Sequence, residues 1–151
     1  MNKNRTANLL NKEHIKYLFS IFEKNNAKIR LVGGCIRDAF INKENKDVDT
    51  ATIVKPNEVL EILNTNNIEY DDFAINYGSI IAYPFEKKVQ ITTLREDVNQ
   101  IGRHTNVIYT SNWEKDAARR DFTFNAMYLG SNNQLYDFYN GLEDLKENKI
   151  R

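Results

Sequence analysis

The stretch from Ile29 to Thr52, IRLVGGCIRDAFINKENKDVDTAT, constrains the fold more than any other part of the chain. Ile29, Leu31 and Val32 make a short apolar strand that stops at Gly33-Gly34, where a backbone without side chains turns tightly. A helix from Cys35 to about Phe40 follows. The loop from Asn42 to Lys46 then leads into a second strand at Asp47-Val48-Asp49.

The same spacing carries chemistry. The free N–H groups of a helix start face whatever occupies the turn before it, and Arg37 adds a positive charge there. Residues i and i+2 of a strand share a face, so Asp47 and Asp49 point together while Val48 points into the core. Two hard carboxylates side by side repel unless a cation joins them, and Mg²⁺ carrying substrate phosphates is the usual partner. Taken singly, Gly-Gly after a strand is an ordinary turn and Asp-x-Asp an ordinary solvated strand end. Together they read as a phosphate cradle followed by a metal-holding pair, which points to phosphoryl or nucleotidyl transfer.

The rest of the chain supplies the frame. Ile15, Leu18, Phe19 and Phe22 follow the spacing of one apolar helix face, which predicts a helix over Glu13–Asn25. Pro56 suits the first turn of another, whose buried face is Val59, Leu60 and Leu63. Ile68–Tyr70 and Ser79–Tyr83 flank Gly78, and KVQITT over Lys88–Thr93 alternates as a strand, with Val89 and Ile91 opposite Gln90. The charged turn Phe85–Lys88 predicts a hairpin between the last two. If the Lys88–Thr93 strand lies beside Asp47-Val48-Asp49, the face carrying Gln90 borders the metal site. Ser111 and Glu114 fit a capping box that starts a helix at about Asn112. Along it Asp116 and Arg120 share a face, which on structural grounds alone reads as a surface ion pair worth about 0.3–0.5 kcal/mol. Ser131–Asn133 reads as a turn and Gln134–Tyr136 as a short strand.

Length and charge narrow the classes. The 151 residues make one domain with a real core, at 41% hydrophobic. One cysteine, Cys35, excludes an internal disulfide and a cysteine-based zinc cage. No apolar run spans a bilayer and the start lacks a signal-peptide core, so a cytoplasmic protein without a membrane partner is expected. Basic and acidic residues balance at 21 each, whereas a domain that grips RNA alone needs clustered Lys and Arg.

Gly33, Gly34, Arg37, Asp38, Asp47 and Asp49 closely resemble the first signature of the tRNA nucleotidyltransferase and bacterial poly(A) polymerase family, Gly-Gly-x-x-Arg-Asp, a spacer, then Asp-x-Asp. The run from Asp116 to Met127, DAARRDFTFNAM, resembles its second, Asp-x-x-Arg-Arg-Asp-Phe-Thr-x-Asn-Ala. Asp137–Leu145, DFYNGLEDL, resembles the segment that closes the family's catalytic head. The resemblance implies an α/β (α+β) head, with a small, mixed, curved sheet packed with helices. It implies transfer from ATP and CTP to a tRNA 3′ end, with Asp47 and Asp49 holding two Mg²⁺ ions and no role for DNA. By the same likeness Gly33, Gly34, Arg37 and Arg120 would hold the phosphates, while Asp121 and Asn125 shape or brace the sugar pocket. Leu94–Thr105 would be a flexible loop near the active site. Arg95, Arg103 and His104 there are candidate phosphate or RNA contacts, set against a plain surface loop.

Two departures stand out. Gln90 occupies a position that is commonly acidic in the family, so a third carboxylate is replaced by an amide. The family's helical neck, body and tail, with the Glu-Asp-x-x-Arg element that reads the base, are expected after Arg151, and a separate helical polypeptide is one way to supply them. The alternatives are a remnant that binds nucleotide or RNA without turnover, a poly(A) polymerase head, and a plain RNA-binding module, against which the neutral charge speaks.

Overall fold

The structure, a computed structural model, describes residues 3–44, 47–96 and 107–151. Two helices open it, α1 (Lys3–Leu10) and α2 (Glu13–Lys24). Then come β1 (Ile29–Val32), α3 (Gly34–Phe40), β2 (Val48–Thr52) and α4 (Pro56–Thr65). Strands β3 (Tyr70–Asp71), β4 (Ser79–Ala82) and β5 (Val89–Thr93) follow, with β6 (Arg95–Glu96) and β7 (Ile108–Tyr109) as a small separate pair. The chain finishes with α5 (Trp113–Ala118), β8 (Met127–Leu129), β9 (Leu135–Asp137) and α6 (Gly141–Lys146).

The described residues form a seven-stranded mixed sheet in the order β3-β4-β5-β2-β1-β8-β9. Strands β2 and β5 run parallel, and the remaining neighbours are antiparallel. Strand alternation sorts the apolar side chains onto two faces. Ile29, Leu31, Val48, Val89, Ile91, Met127 and Leu129 meet the buried sides of α2 and α4 and the Cys35-Ile36 turn of α3. Val32, Ala51 and Tyr128 face the other way, onto Ala117 of α5, Leu94 and Ala126. Buried Thr50, Thr52 and Thr93 each donate their hydroxyl to a backbone carbonyl, of Gln90, Lys28 and Val54, so no lone donor is trapped in the sheet. Among the described residues, no helix is long and apolar enough to cross a membrane.

Strand β1 ends where Gly33 adopts φ +80°, ψ −138°, a conformation that only glycine reaches without strain. Its carbonyl then accepts from the N–H groups of Ile36 and Arg37, and α3 begins. The expected hairpin forms between β4 and β5, with the turn at residues 83–88. The Lys88–Thr93 strand does lie against the Asp49 strand.

Three expectations need correction. Strand β2 begins at Val48, one residue later than read, so Asp47 stands exposed just before it. The cap of α5 is Asn112, whose side chain accepts the Lys115 N–H at 3.1 Å, in place of the Ser111/Glu114 box. The Asp116–Arg120 pair is no surface pair, because Asp116 is fully buried. Helix α1 escaped the sequence reading; its buried Thr6 and Leu10 are too few to make an apolar stripe.

Candidate active site

The tight turn at Gly33, the start of α3 and the segment after α5 meet over Asp49. Gly33, Gly34, Arg37, Asp49, Arg119, Arg120, Asp121 and Asn125 line one cleft of about 340 Å³. Every lining residue except Arg119 is among the candidate site residues of the sequence. Arg119 lies inside the second signature, where the sequence points only Arg120 at a ligand; the buried Asp116 that holds both is visible only in the fold.

Three guanidinium groups give the cleft its charge, and each is held. Arg37 donates from Nε to Asp38 Oδ1 at 2.9 Å and from a terminal nitrogen to Asn125 Oδ1 at 3.2 Å. Asn125 thus braces Arg37 across 88 positions of sequence. Arg119 Nε lies 3.1 Å from Asp116 Oδ1, and Arg120 Nη2 lies 3.0 Å from Asp116 Oδ2. Burial pushes the Asp116 carboxyl up, but Arg120, Arg119 and the hydrogen bonds from Tyr128 and the Arg95 N–H outweigh it and hold it below the usual carboxylate range. Burial likewise opposes the charge on Arg120, and Asp116 more than restores it.

Asp49 faces these cations from the sheet. It sits in register with Gln90 on β5 and with Val32 on β1. Its carboxyl is raised above the ordinary range, first by burial and then by Asp47, while Arg120 and Lys88 pull the other way. Asp47 is exposed and outside the cleft lining, close enough to act on Asp49 electrostatically. Arg95 is turned elsewhere: its guanidinium donates to the Tyr77 carbonyl and its N–H to Asp116. Arg103 and His104 lie outside the described residues.

The donor set suits a hard cation. Asp49 stands beside the Gln90 amide and feels the negative charge of Asp47, and Mg²⁺ is commonly held by one or two carboxylates plus substrate phosphates. Among the described residues there is no group of three or more His, Cys, Asp or Glu that could hold a metal.

The third signature is a buttress. Asp137 accepts the N–H groups of Gly141 and Leu142 at 2.7 and 3.0 Å, which fixes the start of α6. Buried Asp144 accepts the Thr123 hydroxyl at 2.6 Å, and the Thr123 N–H donates to the Arg151 carbonyl at 2.9 Å. The segment between Arg120 and Asn125 is thereby clamped from behind.

The chain belongs to the family of the poly(A) polymerase head domain, whose model matches residues 29–151. Among its relatives, the mitochondrial CCA tRNA nucleotidyltransferase 1 of Danio rerio is 42% identical over 135 residues, covering 89% of this chain and 31% of the relative. The fold is similar to the Bacillus stearothermophilus CCA-adding enzyme in complex with CTP, with a TM-score of 0.79, 26% identity, and coverage of 93% of this chain and 33% of that one. It is also similar to the Thermotoga maritima CCA-adding enzyme complexed with tRNA, with a TM-score of 0.66, 26% identity, and coverage of 95% and 32%. The chain spans about a third of the length of the relatives it matches.

Proposed function

We propose that this chain is the nucleotidyl-transfer head of an enzyme that adds nucleotides to a tRNA 3′ end. One observation carries the reading: Asp49 and three guanidinium groups share a single cleft. Three fixed cations facing inward match a triphosphate, and guanidinium forks bind phosphate oxygens with directed, charge-assisted hydrogen bonds. An adjoining recess of about 180 Å³ shares Arg120 and Asp121 with the cleft and has Ala117, Ala126 and Tyr139 in its walls, which suits the sugar.

In the proposed reaction the terminal 3′-hydroxyl oxygen bonds to the α-phosphorus of ATP or CTP, the bond to pyrophosphate breaks, and the hydroxyl proton passes to water. Arg37, Arg119 and Arg120 orient the triphosphate and hold the departing pyrophosphate. Asp47 and Asp49 would hold two Mg²⁺ ions, which supply charge neutralisation and an acidified acceptor hydroxyl when bound. The relatives named for CCA addition, and the similar structures with CTP and with tRNA, support this substrate class. The cleft meets only parts common to every nucleoside triphosphate. Base choice and most of the tRNA grip are therefore assigned to helical protein outside this head, in the same or a separate polypeptide.

A second reading, nucleotide binding without turnover, is favoured by Gln90 alone, since an amide beside Asp49 supplies no charge to a cation. Incorporation of labelled CTP or ATP into tRNA lacking its CCA end, with the helical part supplied, separates the two. Mg²⁺-dependent incorporation lost in Asp49→Asn is expected. Tight nucleotide binding with no incorporation would leave only the second reading.

A further inference from the structure

Asp116 does not line the cleft, yet two of the cleft's cations hang on it. Its carboxylate has no exposed surface and accepts from four donors. Arg119 Nε and the Arg95 N–H reach Oδ1 at 3.1 and 3.0 Å, while Arg120 Nη2 at 3.0 Å and the Tyr128 hydroxyl reach Oδ2. Tyr128 is itself a fixed peg, fully buried on β8 and in edge contact with Trp113 and Phe138. Its oxygen also accepts from Arg120 Nε at 3.4 Å. A buried ion network of this kind is a poor way to gain stability, because apolar packing of the same volume does as well or better. What it fixes is direction, because both arginines run from Asp116 to the cleft wall.

Arg120 has a second anion within electrostatic reach, Asp49. Of the two carboxylates, only Asp116 has its hydrogen bond to Arg120 set from behind by Tyr128. Without that anchor Arg120 is free to turn toward Asp49 across the cleft, and a pair between them would remove a cation from the cleft and cover the carboxylate. We propose that Asp116 is a positioning residue for the cleft, holding Arg119 and Arg120 at the wall, away from Asp49, so that both meet a polyphosphate. This rests on the reading of the cleft as a triphosphate site.

The test uses the full chain and inorganic tripolyphosphate, without divalent cation, followed by calorimetry alongside ¹⁵N spectra of the arginine Nε–H groups. Wild type is expected to bind, with slowly exchanging Nε–H signals for both arginines. Asp116→Asn should weaken binding by roughly tenfold or more, and Tyr128→Phe by roughly three- to tenfold, since residues of one network act together. In both variants the Arg120 Nε–H signal should broaden or exchange faster while the backbone amide spectrum stays native. If Asp116→Asn does not fold, Tyr128→Phe decides, because it leaves the ion pairs intact. Loss of the arginine signals with unchanged tripolyphosphate affinity would overturn the positioning role alone. A folded wild-type chain that binds no tripolyphosphate would overturn the cleft reading and this proposal with it.

Discussion

Asp49 on β2 and Gln90 on β5 are direct neighbours in a parallel pair, so their side chains leave the sheet on the same face. A carboxylate and an amide therefore share the position at which a cation would be held. Gln90→Glu places a second negative oxygen pair beside Asp49. It is expected to lower the Mg²⁺ concentration for half-maximal incorporation by roughly threefold or more, as ligand charge count tunes affinity. A Mg²⁺ titration of the two proteins checks this, and identical curves would show that Gln90 does not share the cation.

Asp49→Asn separates function from stability. The Asp49 carboxyl is raised in the folded protein, chiefly by burial, so the folded state binds the proton more tightly than the unfolded state. Stability therefore falls as pH rises through its range, and at neutral pH the ionised group is a net cost. The variant should lose transfer by at least about a hundredfold while its unfolding midpoint at pH 7 stays level or rises. A denaturant titration beside the rate measurement shows both.

Part of this site is legible in the sequence. Gly33, Gly34 and Asp49 are readable from spacing because a tight turn and an Asp-x-Asp are local patterns, although Asp47 falls just before the strand and outside the cleft lining. The strand at Val89–Thr93 is equally clear from its alternation, but its place beside β2 is a long-range pairing that the residues alone leave conditional. Asp116 is legible as a partner of Arg120 but not as a buried one, because its other partners, the Tyr128 hydroxyl and the Arg95 N–H, come from other elements. Arg119 and the Asn125 brace on Arg37 were hidden for the same reason. The cap of α5 slipped by one residue because Ser111 and Asn112 are both competent caps, and only the surrounding chain chooses between them.

Asp116 carries the opposite sign from Asp49. Despite burial, Arg120 and Arg119 hold its carboxyl below the unfolded value of about 3.9. Its stabilising contribution is complete above that value and is lost as pH falls through the folded one. Acid unfolding should thus draw on this network at pH values below about 4, and the draw should vanish in Asp116→Asn. Asp116→Ala, which takes the buried anion from two part-buried guanidinium groups that still reach the open cleft, should cost about 1–3 kcal/mol by denaturant titration at pH 7.

Gly141 opens α6 against the backbone of the Thr123 segment. An added Cβ would land on the Thr123 carbonyl, and neither side can yield because Asp137 holds Gly141 while Asp144 holds Thr123. Gly141→Ala should destabilise by about 1–3 kcal/mol, as overpacked sites do. It should also weaken tripolyphosphate binding through the displaced Asn125 and Arg37. An unfolding midpoint equal to wild type would show that the clamp is softer than its hydrogen bonds indicate.

The parallel pairing of β2 and β5 has a kinetic consequence. The β4–β5 and β8–β9 neighbours are joined by short turns, but this pair forms only after α4, β3 and β4 have been laid down between its strands. The Thr50 bond to the Gln90 carbonyl spans 40 positions, and the Arg37 bond to Asn125 spans 88. Closing such long loops costs entropy before any contact repays it, so the helices and the β4–β5 hairpin can form while the cleft does not yet exist. The cleft is thus expected to form late, once its long-range contacts have closed. A bound triphosphate would close those long loops itself, making the substrate a structural member of the head for as long as it stays.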